Sequence, residues 1–241
     1  MPKAQRIAEV LRVLSETYPQ AHCELVFSNP LELLMATILS AQCTDVRVNQ
    51  VTRKLFARCA SAEDYAQILL SELEAIVQPT GFFRAKAKSL KGCAQALLER
   101  HRGEVPQSLE ALVALPGVGR KTANVVLGDA FCAPEGVVVD THVQRLSKRL
   151  GLSRHNTPEK VEADLMRLLP KAQWAKLSHW LIWHGRRRCK AVNPDCAACE
   201  LQALCPSAGE GAGQIGRKAA SSKRSASANK QPRRNVGGRG A

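Results

Sequence analysis

Apolar residues recur along most of the chain at the three- and four-residue spacing of amphipathic helices. Ile7, Val10, Leu11 and Leu14 share one face of the first predicted helix, which ends before Pro19. Segment 31–41 (LELLMATILSA) is apolar nearly all round and predicts a central buried helix. Strands and helices do not alternate, and the one strand-like run is 136–139. The pattern therefore predicts an all-α fold.

Capping residues mark where several of these helices begin. Asn29 precedes a proline and is followed by an acid three positions later, which is typical of a helix N-terminus. Thr44 and Ser61 begin two further helices, and Ser71 with Glu74 predicts a capping box for a short helix before Pro79. From residue 21 to 127 the predicted helices are short and joined by tight turns, as in a compact bundle.

The most informative stretch is 115–140, LPGVGRKTANVVLGDAFCAPEGVVVD. It predicts a helix, a glycine hairpin and a second helix with Lys121 just inside it. Gly117 and Gly119 permit positive φ and close approach of a ligand, and the N-terminus of the second helix suits a phosphate. The hairpin alone is equally compatible with a plain helical turn and a solvated lysine. Beyond this second helix, the apolar run 137–139 ends at Asp140.

The charge of the chain indicates a polyanionic partner. The 241 residues carry a net charge of +14, and half of it lies in the last 35 residues, which hold eight basic and one acidic residue. Segment 212–241 is rich in Gly, Ala, Ser, Lys and Arg, so we expect it to be a disordered tail. No apolar run approaches the ~18 residues of a membrane span, and the first twenty residues are not a secretory signal. We expect a cytoplasmic, nucleoid-associated protein with no membrane partner.

The nine cysteines fall into two groups. Five are scattered singly and are expected to be small side chains of the core or its edge. The other four are Cys189, Cys196, Cys199 and Cys205, spaced C-x6-C-x2-C-x5-C, which indicates a metal site. The spacing has one CxxC pair with a single cysteine at an unequal distance on each side, which favours an iron–sulfur cluster over a zinc ion. Zinc remains an alternative, because four thiolates can bind either group.

Three motifs in this order resemble the bacterial endonuclease III family of helix-hairpin-helix DNA glycosylases. They are 115–123 (LPGVGRKTA), 139–142 (VDTH) and the cysteine cluster; 39–45 (LSAQCTD) is also similar. The resemblance covers about residues 1–206. It implies a six-helix domain (22–133), a 4Fe-4S cluster domain built from 1–21 and 134–206, and a basic tail (207–241). It also implies excision of oxidised pyrimidines from double-stranded DNA by a monomer.

The resemblance assigns roles to individual residues. Lys121 would attack the sugar C1′ and form a Schiff base, and Asp140 would stabilise the sugar as the base leaves. Asp140 is also explained as a helix N-cap. Gln42 and Phe82 match the positions that fill the space left by a flipped nucleotide, although Phe82 stands where leucine is more usual. Core packing is the alternative for Phe82. The hairpin residues Gly117, Gly119 and Arg120 would contact DNA.

Two other functions fit parts of the sequence. A monofunctional mismatch glycosylase shares the cluster and the aspartate, but it lacks a lysine at this hairpin position and has an extra recognition domain. A non-catalytic helix-hairpin-helix DNA-binding protein would make the presence of both Lys121 and Asp140 accidental. The sequence therefore favours the bifunctional glycosylase and lyase.

Overall fold

The computed structural model describes residues 1–209, and within them the chain forms eleven α-helices and no β-strand. The prediction of an all-α fold is confirmed. The helices are α1 (Lys3–Thr17), α2 (Pro30–Leu39), α3 (Asp45–Arg58), α4 (Ala62–Gln67), α5 (Leu70–Val77), α6 (Phe83–His101), α7 (Leu109–Val113), α8 (Arg120–Asp129), α9 (Thr141–Arg149), α10 (Pro158–Met166) and α11 (Trp174–Arg187). Short 3₁₀ turns lie at Gln78–Thr80, Lys171–Gln173 and Gln202–Leu204.

The buried apolar side chains form two separate cores. The first extends from Leu25 to Leu127 and joins α2 to α8, and most of helix α2 is buried in it. The second combines α1 with α9, α10, α11 and Leu201. The apolar face of α1 predicted from Ile7 to Leu14 packs into this second core. Helix α1 and the segment from Val137 to Leu201 are therefore packed together, and the bundle of α2 to α8 forms a separate core.

Most predicted caps are present. Asn29 Oδ1 accepts a hydrogen bond from the Glu32 N–H at 2.9 Å, and Thr44 Oγ1 accepts one from the Arg47 N–H at 3.3 Å. Ser61 and Asp64 form a reciprocal capping box. These bonds satisfy N–H groups that have no partner inside the helix.

The predicted cap at Ser71 is wrong. Helix α5 begins at Leu70, and its N-cap is Leu69, two residues before the predicted cap. Leu69 contributes no side-chain hydrogen bond. Burial of Leu73 and Val77 in the first core fixes this helix without a cap. Packing of an apolar face supplies most helical stability in proteins, so a cap signal can be overridden.

The strand-like run 136–139 is not part of a sheet. Val137 and Val138 are buried, which explains their apolar character. The Val138 N–H donates to Ser178 Oγ of α11 at 2.9 Å, so a side chain satisfies it in place of a neighbouring strand. This segment connects α8 to α9 and positions Asp140.

No helix in residues 1–209 is long and apolar enough to cross a membrane. The predicted disorder of segment 212–241 concerns residues outside the described part of the chain.

Candidate active site

The glycine hairpin between α7 and α8 packs against α6. Gly117 has a φ of 78°, and a Cβ there would lie 2.6 Å from Ser89 Cβ, so only glycine fits. Pro116 in turn packs over Gly92 of the same helix. Gly119 differs from the prediction, because its φ is −95° and not positive. A Cβ at Gly119 would meet no atom within 4 Å, so the N-terminus of α8 is open to a ligand.

Arg120, predicted to contact DNA, is held by an acid from the second core. Its Nε and Nη2 donate to Glu162 at 2.9 and 3.0 Å, and Asn124 Nδ2 donates to Glu162 Oε1 at 3.1 Å. The Glu162 side chain is 8% exposed and that of Arg120 is 49% exposed. A Cβ at Gly136 would lie 1.8 Å from Glu162 Oε1, so a glycine is required there. This network fixes the first turn of α8 against α10.

Lys121 and Asp140 come together at one cavity of about 90 Å³ between the two cores. Lys121 is exposed in the first turn of α8. Asp140 caps α9, because its Oδ1 accepts a hydrogen bond from the Val143 N–H at 2.8 Å. The cap interpretation of Asp140 is therefore confirmed, and its other carboxylate oxygen is not used by the cap.

The rest of the cavity wall is polar on several sides. Asp129 and His179 form a close pair with Oδ1 and Nε2 2.7 Å apart. Across the cavity, Arg186 pairs with Glu24 and with Asp45, the latter at 2.7 Å. Burial raises the pKa of the Cys23 thiol, which also lines the cavity, to about 12. This thiol is therefore neutral and is not a competing nucleophile at neutral pH.

Gln42 and Phe82 lie on two loops outside that cavity lining. Both have left-handed backbones, with φ of 52° and 48°, and both are exposed, Phe82 by 68%. Core packing applies to its neighbour Phe83, which lies against the first core. Lys86 supports the Phe82 loop, because its Nζ donates to the Thr80 carbonyl at 2.8 Å, and burial lowers the Lys86 pKa.

The four clustered cysteines line one cavity of about 410 Å³ beside the second core. No group of three or more His, Cys, Asp or Glu side chains in residues 1–209 is placed to hold a single metal ion. Basic side chains share the lining: Arg149 Nη1 donates to Cys189 Sγ at 3.2 Å, and Arg145 and Arg188 lie nearby. His184 Nε2 lies 3.5 Å from Cys199 Sγ.

The three arginines of the basic run 186–188 are engaged within the protein. Arg186 bridges Glu24 and Asp45 as described. The Arg187 guanidinium lies 3.5 Å from the centre of the Trp183 ring, and Arg188 pairs with Glu200 at 3.1 Å. Trp183 and Glu200 are near their arginines in the chain. Glu24 and Asp45 are distant from Arg186, so the local charge pattern does not reveal that they bind it.

Sequence reasoning missed Asn124, Asp129, Glu162 and His179. Asn124 and Asp129 lie within the motif helix α8, but neither spacing nor composition singles them out. Glu162 and His179 contact that helix from α10 and α11, so only the tertiary structure identifies them.

Comparison with known proteins agrees with this architecture. Residues 35–171 match the HhH-GPD superfamily of base excision DNA repair proteins. The chain is 51% identical over 206 residues to endonuclease III of Synechocystis sp., covering 86% of this chain and 94% of that protein. It is 42% identical over 205 residues to endonuclease III of Escherichia coli, covering 85% and 96% of the two chains. A structure of a trapped endonuclease III–DNA covalent intermediate superimposes with a TM-score of 0.83 at 44% identity, over 89% of this chain and all of that one.

The chain is thus a helix-hairpin-helix protein of base excision DNA repair. Within that class it belongs to the endonuclease III family, whose members are DNA glycosylases with abasic-site lyase activity.

Proposed function

We propose that this enzyme removes oxidised pyrimidines from double-stranded DNA and then cuts the strand through a Schiff base on Lys121. The observation that carries the proposal is that Lys121 and Asp140, from helices of the two different cores, line one cavity. An amine and a carboxylate at one site are the groups that a coupled base excision and β-elimination requires.

The proposed reaction begins with the neutral amine of Lys121. Its nitrogen attacks C1′ of the damaged nucleotide while the C1′–N bond breaks and its electron pair leaves with the base. Loss of a proton from nitrogen and opening of the sugar give the imine. Removal of a proton from C2′ then expels the 3′ phosphate. An ordinary lysine titrates near ~10.4, so lowering its pKa to ~7–8 requires roughly 3–5 kcal/mol.

Most of that energy must come from bound DNA. The N-terminus of α8 contributes about 0.3–1 kcal/mol, and Lys121 is exposed in the free protein. Closing the duplex over the amine would remove it from water, which favours its neutral form.

Asp140 acts on the sugar in this proposal. The α9 cap occupies its Oδ1 and fixes the carboxylate. Its second oxygen is available to stabilise positive charge at C1′ as the base leaves and to exchange protons with the sugar. Electrostatic stabilisation by a fixed group is most effective where little reorganisation is needed.

Gln42 and Phe82 would enter the duplex at the flipped nucleotide. Their exposure and left-handed backbones support this role, since holding a non-glycine residue in that conformation costs about 1–2 kcal/mol. The hairpin would bind a neighbouring phosphate through N–H groups at the start of α8, where Gly119 leaves room and Gly117 sets the turn. The half-exposed Arg120 guanidinium would add a positive charge there.

The four cysteines would hold a 4Fe-4S cluster. They line one cavity of about 410 Å³, which leaves room for a group larger than one zinc ion bound at about 2.3 Å from its thiolates. The basic lining suits the negative charge of a thiolate-bound cluster. When bound, the cluster supplies a cross-link between the end of α11 and the segment up to Cys205, and no catalytic step is assigned to it.

The domain division proposed from the sequence is supported by the two cores. We place the bundle domain, expected from the sequence to have six helices and containing the seven helices α2 to α8, at 22–133. We place the cluster domain at 1–21 with 134–206, leaving 207–241 as a basic tail. We further propose that the enzyme acts as a monomer on damaged duplexes or abasic sites in the bacterial cytoplasm and nucleoid.

Borohydride trapping on a duplex containing thymine glycol tests the proposal. The parent enzyme should give a covalent adduct and a nicked strand. Lys121→Gln should give neither while retaining DNA affinity within a few-fold, and Asp140→Asn should release the base slowly. Lys160→Gln, which removes an exposed lysine on α10, is the matched control. Nicking of abasic DNA by Lys121→Gln at the parent rate would exclude Schiff-base chemistry at this residue.

A further inference from the structure

Hydrogen-bond donors that line the cavity between Lys121 and Asp140 are already used by the protein. The hydroxyl groups of Ser40 and Ser178 and the indole N–H of Trp183 each donate to a backbone carbonyl, at 2.8, 3.2 and 3.2 Å. A ligand in the cavity would therefore find few uncharged side-chain donors available.

The buried amide of Asn124 provides an acceptor without a partner. A carboxylate can only accept hydrogen bonds, so the bond from Asn124 Nδ2 to Glu162 Oε1 fixes which end of the amide faces the acid. The Oδ1 atom is left on the other side, buried and without a hydrogen bond in residues 1–209. Asn124 is 3% exposed and lines the cavity.

His179 provides a second acceptor by the same reasoning. Its Nε2 lies 2.7 Å from Asp129 Oδ1, and the two side chains are only 11% and 15% exposed. The carboxylate requires the proton on Nε2, so in the neutral ring Nδ1 carries a lone pair and accepts. Asp129 thus fixes the tautomer that His179 presents.

The cavity of the free protein is too small for a base, and the Asn124 Oδ1 acceptor beside it has no hydrogen bond. Its volume of about 90 Å³ is below the roughly 150 Å³ of a cavity that admits benzene, so it must widen when a ring enters. An unsatisfied buried acceptor costs about 1–3 kcal/mol, and a ligand that brings a donor recovers this energy.

We propose that Asn124 and His179 are specificity-determining residues that select pyrimidines bearing additional hydrogen-bond donors. A 5,6-dihydroxylated ring adds two hydroxyl donors, whereas a 5,6-dihydro ring has a similar pucker and adds none. Asp129 is a positioning residue, because it acts through His179. This inference rests on the proposed function and concerns the base that the same cavity receives.

Equilibrium binding to two duplexes tests the inference. One carries thymine glycol and the other dihydrothymine, each with a 2′-fluorine that blocks excision. The parent should bind the glycol duplex about tenfold more tightly, the equivalent of one well-made hydrogen bond. Asp129→Leu/His179→Leu, which removes the pair without leaving a lone buried charge, should reduce this preference about fivefold. His179→Gln should restore it, because glutamine can donate to Asp129 and present a carbonyl oxygen.

The matched control is His155→Leu. His155 lies 3.9 Å from Asp164 in a second His–Asp contact outside the cavity lining, so its loss should leave the preference at the parent value. Equal affinity of the parent for both duplexes overturns the inference whether or not any variant folds. An unchanged preference in the double variant, or no restoration by His179→Gln, also overturns it. Nicking of preformed abasic DNA by the parent tests the role of Lys121 separately. If the parent does not nick this DNA, the proposed function is refuted. If it nicks the DNA but binds the two duplexes equally, only this inference is refuted.

Discussion

Glu162→Gln should loosen helix α8, which carries Lys121. The parent carboxylate accepts two hydrogen bonds from Arg120 and one from Asn124, and it is almost completely buried. The amide group of glutamine must turn its NH₂ toward one of these donors, so at least one bond is lost and the charge disappears. Hydrogen bonds to charged groups contribute about 1.5–3 kcal/mol. Because Arg120 is half-exposed, solvent screening reduces the contribution of its bonds. We expect a loss of about 2 kcal/mol in the free energy of unfolding.

Calorimetry and single-turnover kinetics measure the two consequences. For a chain of this size, about 2 kcal/mol corresponds to a Tm lower by roughly 4–8 °C. Nicking of abasic DNA should slow about tenfold, because small displacements of a reacting group cost rate. Glu159→Gln, an exposed acid in the first turn of the same helix α10, is the matched control and should change neither quantity. A Tm within about 1 °C of the parent would refute the claim that this carboxylate anchors α8.

Three further outcomes are expected. The enzyme purified without oxygen should be yellow-brown, with absorbance near ~400 nm and about four irons per chain, and Cys196→Ser should lose the colour; stoichiometric zinc would contradict the cluster. Iodoacetamide at pH 7.5 should label the exposed Cys132 but not Cys23 or Cys93. Burial raises the pKa of the Cys23 and Cys93 thiols to about 12, so these two thiols stay protonated. Peptide mass spectrometry identifies which cysteines are labelled. Deleting residues 208–241 should leave the rate of base excision at saturation unchanged. The slope of log K for DNA binding against log salt concentration should become shallower by about 0.9 per lost phosphate contact. An unchanged slope would mean that the tail does not bind DNA.

The sequence predicted the elements of this fold well because local rules govern them. The helical periodicity, the Asn29 and Ser61 caps and the glycine hairpin each depend on residues close together in the chain. The failures occurred where tertiary contacts decide. Burial replaced the Ser71 cap, and the segment before Asp140 hydrogen-bonds to a helix instead of a strand.

Sequence reasoning also found the residues of the candidate site that lie in local motifs and missed those that only tertiary contacts bring there. Lys121 and Asp140 were found because motifs that resemble a known family contain them, and they lie at one cavity. The His179–Asp129 pair could not be found, since 50 residues separate its members and no motif residue type or spacing singles out either of them. The pairing of Arg186 with Glu24 and Asp45 was missed because these acids lie far from Arg186 in the chain.

Helix α6 carries both ends of the proposed DNA contact. Phe82 precedes its first residue, and two turns further along Ser89 and Gly92 support the hairpin that leads to Lys121. Because α6 is one continuous helix, the distance along it from the Phe82 loop to the residues that support the hairpin is fixed. If Phe82 and Lys121 act as proposed, the DNA has to bend to match this distance. Lesions that soften the helix would then be recognised partly by their low bending energy, before any atom of the damaged base is touched.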